Sequence, residues 1–258
     1  MRPFWLNYGG GVNSAALAIM IIDGLLPEYD PCRFVFADTW TERDETYWYI
    51  ANVFMPYLAS RGRMLEIVQP NEGVYMRWKR LSVTGSRIIR TCTQESKIRP
   101  IEKFIKQNGG GEQLIGIDAG EPHRAVERPG KHYPLVSHGI DRAGCIKIIE
   151  RAGLPLPIKS GCWCCPFMRV GEVMELARQY PEKFNKIERL EAAANKAHPG
   201  KERIERDCDD NIVSIRPPVT RTQWADKPAT YWRDRATSQG ELGITFDIEM
   251  PCECFDGA

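Results

Sequence analysis

Three groups of residues in this 258-residue chain have types and spacings suited to chemistry. The first is Tyr8-Gly9-Gly10-Gly11-Val12-Asn13-Ser14, set between a strand-like and a helix-like stretch. Glycines let a backbone approach an anion closely, and the first turn of a helix offers unpaired N–H groups and the positive end of its dipole. With the Ser14 hydroxyl as a further donor, the run predicts a phosphate cradle. No Gly-Lys-Ser/Thr follows, which excludes a Walker-type loop. Gly9-x-Gly11-x-x-Ser14 also comes close to a dinucleotide fingerprint, and Asp38 ends the second strand where a ribose-binding acid would sit. The loop taken alone therefore leaves an NAD site open beside a nucleotide phosphate site.

The second group is cysteine. Nine cysteines are an odd number, and five of them fall in Cys162-Trp163-Cys164-Cys165 and Cys252-Glu253-Cys254. Such clusters favour metal or redox chemistry over a disulfide scaffold. Cys162-x-x-Cys165 can turn two thiolates toward one ion, but a Zn²⁺ or iron–sulfur site needs ligands from elsewhere. Cys254 reads as a nucleophile, or with Cys252 as a metal pair or persulfide relay; Cys32 and Cys208 read as core fillers. The third group is the run 77–106, with nine Lys/Arg against Glu95 and Glu102. It reads as a solvated face, a nucleotide clamp or a nucleic-acid surface. His123, His132, His138 and His198 form no ligand spacing. The aromatics from Trp40 to Tyr49 could stack on a base, but at helical spacing they are expected to face the core.

The elements that must position these groups alternate as strand and helix. Phe4–Tyr8 reads as a strand and 13–26 as a helix with apolar residues at 16, 17, 20, 21 and 25. Strand 33–36, helix 44–58 and strand 64–68 follow. A Lys-rich helix breaks at Gly109-Gly110-Gly111 before strand 114–117, and 133–136 is expected as a fifth strand. Such alternation predicts parallel crossovers and a doubly wound open α/β sheet, with ligands at the carboxyl ends of its strands. From 141 the pattern turns helical, over 141–152, 170–180 and Pro181–Ala197, and the tail from His198 shows no clear period. The expected division is a nucleotide-binding α/β domain over 1–140 and a helical, irregular C-terminal region over 141–258.

Composition bounds the function. Hydrophobic residues are 43% and charged residues 27%, which excludes disorder and collagen-like structure. Lys+Arg 35 against Asp+Glu 34 leaves +1, so any attraction to polyanions must be local. The apolar run 15–22 is far short of the roughly 20 residues that span a bilayer, and no signal-like segment opens the chain. A cytoplasmic protein with no membrane partner is expected.

Several blocks resemble one superfamily. The glycine run resembles the Ser-Gly-Gly-x-Asp-Ser loop of N-type ATP pyrophosphatases, with Gly9 and Asn13 at the Ser and Asp positions. Asp38-Thr39-Trp40-Thr41-Glu42 with Glu45-Thr46-Tyr47 is similar to the Asp-Thr-Gly-x-Glu…Glu-Thr-Tyr stretch of phosphoadenylyl-sulfate reductases, Trp40 replacing the glycine. Arg90-Thr91-Cys92 with Lys97 and Pro100-Ile101 resembles their Arg-x-Cys…Lys-x-x-Pro-Leu block. Gly116-Ile117-Asp118-Ala119-Gly120-Glu121-Pro122-His123-Arg124 resembles the segment whose arginine meets a phosphate. Gly161-Cys162-Trp163-Cys164-Cys165 matches their Gly-Cys-x-x-Cys. The blocks keep the family's order across about 4–168, and they displace the NAD reading.

The resemblance implies an adenine-nucleotide alpha-hydrolase-like fold. It implies ATP and Mg²⁺ bound by Gly9, Gly10, Gly11, Val12, Asn13, Ser14, Asp38, Thr39, Gly116 and Glu121, with Asp38, Lys97 and Arg124 in catalysis. It also implies a [4Fe–4S] cluster on Cys92, Cys162 and Cys165, with Thr93 where relatives carry a fourth ligand, Cys145, Cys164, Cys252, Cys254 or none in its stead, and Zn²⁺ as the alternative. Three-cysteine clusters with an open iron are a feature of ATP-dependent sulfurtransferases acting on RNA, and the sulfurtransferase of DNA phosphorothioation is a further relative. The expected function is adenylation of an acceptor, which is DNA or tRNA bound through 77–106 or a small molecule, with pyrophosphate release and sulfur transfer. A donor such as a cysteine desulfurase and a homodimer are the expected partners. The alternatives are reduction of phosphoadenylyl or adenylyl sulfate, and a non-catalytic nucleotide-binding subunit of a modification or defence complex.

Overall fold

The structure is a computed structural model describing residues 3–88, 90–200, 203–206, 212–216, 221–224 and 227–238. Cys208, Cys252 and Cys254 lie outside the described residues. The chain groups into two compact units, one of 1–73, 91–162 and 248–258, the other of 74–90 and 163–247.

The first unit holds a five-stranded parallel sheet of order β3-β2-β1-β4-β5, with β1 Phe4–Tyr8, β2 Cys32–Ala37, β3 Leu65–Val68, β4 Glu112–Ile115 and β5 Lys131–His132. This is the doubly wound open sheet expected from the alternation. The winding reverses at β1, which lies between β2 and β4, so a crevice opens at its carboxyl end. That end is Tyr8, and the glycine run follows it directly.

Alternation along β1 sends Leu6 and Tyr8 to one face and Trp5 to the other. On the first face lies helix α1, Val12–Ile22. Its run of apolar residues lacks a polar stripe because nearly the whole helix is buried, against the sheet and the helix Arg142–Arg151. On the second face Ile101 and Ile105 of the helix Arg99–Gln107 pack over Trp5, Val35 and Val68. Gly111 closes the turn into β4 at φ +145, where a Cβ would lie 2.4 Å from the Pro3 carbonyl. No other residue fits there.

Two expectations are corrected. The fifth strand is the two-residue β5, and 133–136 is not a strand: Pro134–Ser137 is a helical turn. Pro134 presets a helical φ at the first position and has no N–H for a sheet ladder. The helix expected over 44–58 is present, but Asp44–Tyr49 and Met55–Ala59 are joined by one π-helical turn, Ile50–Phe54.

In the second unit the helices Val170–Gln179 and Pro181–Ala197 pack together and on Ala229–Ser238. The patternless tail also contains an antiparallel pair, β6 Arg203–Arg206 with β7 Ile212–Arg216. Glu191 is buried and accepts the backbone N–H of Gln223 at 2.6 Å and of Ala229 at 2.7 Å. Burial pushes its carboxyl pKa up, opposed by those two bonds. Side chains of this unit hold three successive carbonyls of the cysteine turn: Gln223 donates to Cys164, the Trp224 indole to Cys165 at 2.9 Å, and Arg87 to Pro166 at 2.9 Å. Among the described residues, no helix is long and apolar enough to cross a membrane.

Candidate functional site

A cleft partly open to solvent lies at the carboxyl ends of β1 and β4. Its floor is the glycine run. Gly10 adopts φ +75, and a Cβ there would lie 2.9 Å from the Thr46 methyl. Gly11 caps α1 without a side-chain bond, which leaves the first N–H groups of the helix for a ligand. The Ser14 hydroxyl ties the loop to itself: it accepts from the Gly9 N–H and donates to the Gly11 carbonyl, each at 3.1 Å. Its role here is therefore to shape the cradle, with its own proton already committed.

The wall from β4 presses closely. A Cβ at Gly116 would lie 3.0 Å from both N and Cα of Ser14. Beyond it, Asp118 accepts from Asn13 Nδ2 at 2.7 Å and from the Gly120 N–H at 2.7 Å. The Asn13 Oδ1 is buried with no partner among the described residues.

Among the described residues, four cations line the cleft, each from a different element, and no carboxylate does. Lys97 comes from the π-helical turn Gln94–Ile98, Arg124 from the 3₁₀ turn Pro122–Arg124, Arg142 from the first turn of Arg142–Arg151, and Lys159 from the strap before the cysteine turn. Lys97 and Arg124 are buried and paired, Lys97 with Glu42 at 3.1 Å and Arg124 with Glu121. A cleft that gathers cations and aligned backbone N–H groups suits an anion carrying several charges.

Of the expected nucleotide and catalytic residues, Gly9, Gly11, Val12, Asn13, Ser14, Gly116, Lys97 and Arg124 line this cleft together. Gly10 shapes the turn from behind, and Glu121 reaches the cleft only through Arg124. Asp38 is not part of the lining; it accepts from the Tyr47 hydroxyl at 2.5 Å, Gln69 at 3.0 Å and the Trp40 N–H at 2.8 Å. Thr39 is buried and donates to Glu42 Oε1 at 3.0 Å, the same oxygen that meets Lys97.

That carboxylate also faces Cys162, whose sulfur lies 3.4 Å from Thr39 Oγ1 and 3.9 Å from Glu42 Oε1. Burial, then the Glu42 charge, pushes the Cys162 thiol up to about 12 against the opposing pull of Lys97. Cys92 and Cys162 belong to the first unit and Cys165 to the second. Among the described residues no three Cys, His, Asp or Glu side chains are grouped to hold a metal ion.

Sequence reasoning missed Arg142, Lys159, Ser160 and Asn7 of the lining, and Glu42 behind Lys97. A Cβ at Gly11 would lie 3.0 Å from Ser160 Oγ, so the strap lies directly over the loop. The aromatic stripe is a correction. Tyr49 faces the core, but Trp40 is 52% and Trp48 58% exposed. Tyr49, Ile50, Phe54, Tyr57 and Leu58 already fill that side. The basic run is divided between the units at 90/91.

No family model matches the chain. An uncharacterized protein of Methanocaldococcus jannaschii is 25% identical over 213 residues, 73% of this chain and 41% of that protein. The chain thus spans about two fifths of the length of the curated relative it matches. Among solved structures it is similar to a phosphoadenylyl-sulfate reductase from Candida auris in complex with phosphate, at 19% identity and a TM-score of 0.43, over 61% of this chain and 76% of that one. It is also similar to the U34-tRNA thiolase NcsA from Methanococcus maripaludis with its [4Fe-4S] cluster, at 12% identity and a TM-score of 0.45, over 91% of this chain and 80% of that one. The chain is an open, doubly wound α/β protein whose strand order, 3-2-1-4-5, places a cation-lined cleft at the switch point of its sheet.

Proposed function

We propose that the chain is a nucleotide-using enzyme of sulfur transfer that cleaves ATP between its α- and β-phosphates. The observation that carries this is the cleft itself, where, among the described residues, a glycine loop, an uncapped helix start and four cations converge without a carboxylate. The phosphates would lie on loop 9–14. An acceptor oxygen attacks the α-phosphorus, the α–β bond breaks, and pyrophosphate leaves with its charge met by Lys97 and Arg124. Positioning and charge neutralisation supply most of the acceleration in such a step. ATP enters as its Mg²⁺ complex, and the unpartnered Asn13 oxygen beside Asp118 suits that ion's preference for oxygen ligands. A sulfur nucleophile then displaces AMP from the adenylated acceptor.

A nucleic acid, DNA or tRNA, is the proposed acceptor. Support comes from residues 74–90, which carry Arg77, Lys79, Arg80, Arg87 and Arg90 and no acid. The iron–sulfur part of the expectation rests on the resemblance of Cys92, Cys162 and Cys165 alone. Among the described residues no three Cys, His, Asp or Glu side chains are grouped to hold a metal ion, and the adenylation step needs none.

The deciding experiment incubates the protein with ATP, sulfide and candidate acceptors, and separately with phosphoadenylyl sulfate and a thiol reductant. Pyrophosphate release from ATP is the expected result. Sulfite from the sulfonucleotide without pyrophosphate would establish the reductase reading instead, and ATP binding without turnover would leave a nucleotide-binding subunit.

A further inference from the structure

Resting on the nucleotide reading of the cleft, we propose that Arg142 is the residue by which the site selects a triphosphate, its guanidinium meeting the terminal phosphate. The observation is a cation placed where the fold gains nothing from it. Arg142 opens the ten-residue helix Arg142–Arg151, directly after the N-cap Asp141. A helix N-terminus is the positive end of the dipole, which favours acids and disfavours a cation. The first turn holds no acid to offset it. Arg142 nonetheless lines the cleft, together with three other cations.

The cations of the cleft are not equivalent. Lys97 has Glu42 at 3.1 Å and Arg124 has Glu121. Each of these pairs is neutral, so it offers a phosphate chain hydrogen bonds more than net charge. Among the described residues Arg142 has no ion-pair partner. Its neighbour Asp141 is committed to the cap, accepting the Gly144 N–H at 2.7 Å. Each phosphate added to a nucleotide brings at least one further negative charge, and an unmatched cation is what that charge requires.

The fold fixes where that cation stands. Ile140 accepts the Ala119 N–H at 2.8 Å, which ties the helix start to the loop after β4. One turn on, Cys145 is buried, and with Ile149 it packs into the core that contains α1. The loop after β4 carries Gly116 and Ile117 of the lining, then Asp118, which accepts from Asn13 Nδ2 at 2.7 Å. Burial, then the Asp118 charge, pushes the Cys145 thiol up to about 12, and Arg142 pulls it down. Arg142 and Asp118 thus flank one thiol, which puts Arg142 on the Asn13 side of the cleft. In nucleotide sites the metal ion bridges the two outer phosphates. Asn13 Oδ1, buried and unpartnered among the described residues, is the oxygen suited to that ion, so the terminal phosphate belongs on the side of Arg142.

The test is equilibrium calorimetry with ATP, ADP or AMP and Mg²⁺, without acceptor, on the wild type, Arg142→Met and Lys147→Met. The wild type is expected to prefer ATP to ADP. Arg142→Met keeps an apolar stem and removes the charge. It should weaken ATP roughly ten- to a hundredfold, as loss of hydrogen bonds to a charged group does, and leave ADP and AMP unchanged. It should not lower Tm, because it takes a cation off the positive end of a helix dipole. Lys147→Met removes one charge from an exposed position of the same helix and should alter no affinity. A wild type that binds ATP and ADP alike, ATP affinity unchanged in Arg142→Met, or an equal loss in Lys147→Met would overturn the proposal while leaving the phosphate site standing. Equal loss of ATP and ADP, or a lowered Tm, would make Arg142 a contact of the shared phosphates or a support of the fold, and also overturn it. A wild type that binds no nucleotide would overturn the reading of the cleft and this proposal with it.

Discussion

Lys97→Met is expected to lower pyrophosphate release from ATP by roughly a hundred- to a thousandfold, the usual cost of losing one preorganised charge at a transition state. Lys97 is only 5% exposed, lines the cleft, and has Glu42 at 3.1 Å behind it. The same substitution leaves Glu42, 1% exposed, as an uncompensated buried charge, at a cost of about 3–5 kcal/mol. Activity and stability should therefore fall together in the single variant. Lys97→Met with Glu42→Gln removes both charges, leaving Thr39 to bond the amide. In that double variant Tm should recover while pyrophosphate release stays low. Release that returned with Tm would show that Lys97 acts only by supporting the fold.

Gly116→Ala carries the second large effect. The added Cβ would meet Ser14 N and Cα at 3.0 Å, and neither is a flexible side chain that can turn away. The loop must move, and displacements well under 1 Å at a preorganised site already cost rate and affinity. ATP and tripolyphosphate should both bind about tenfold more weakly or worse. Gly62→Ala is the matched control. Its φ of +68 strains an alanine, but nothing lies within 4 Å of the new Cβ. Calorimetry should show a Tm loss there with both affinities intact. Unchanged phosphate binding in Gly116→Ala would separate β4 from the cradle.

Why the loop was readable and much of its surroundings was not follows from how each is encoded. β1, the glycine run and α1 are contiguous, and their apolar run, glycines and helix start are local signals. From the blocks at 90–97 and 116–124, Lys97, Gly116, Ile117 and Arg124 line the cleft, and Gly116 and Ile117 follow β4 directly. Arg142, Lys159 and Ser160 carry no such signal. They come from a helix start and a strap with no fixed spacing to the loop, and only the packing of Arg142–Arg151 on α1 brings the first of them near. Glu42 was visible only as one acid of a motif, because its partner Lys97 lies fifty-five residues on.

The misread elements have their own reasons. Lys131-His132 is too short and polar at the sheet edge to show a strand period, while the apolar residues after it invite one. Arg203–Arg206 and Ile212–Arg216 place charges or a serine among their apolar residues, which hides the alternation. Trp40 shows the converse. Its composition argued for burial, but its backbone conformation, invisible in sequence, turns it to solvent.

On the proposed function, nucleotide phosphates lie on loop 9–14 between Lys97 and Arg124. A crystal structure of the protein with a non-hydrolysable ATP analogue and Mg²⁺ tests it directly. Phosphate density is expected against the backbone N–H groups at the start of α1, within hydrogen-bond reach of Lys97 and Arg124. An analogue bound elsewhere, for example over the basic stretch 74–90 with the cleft holding only solvent, would contradict it.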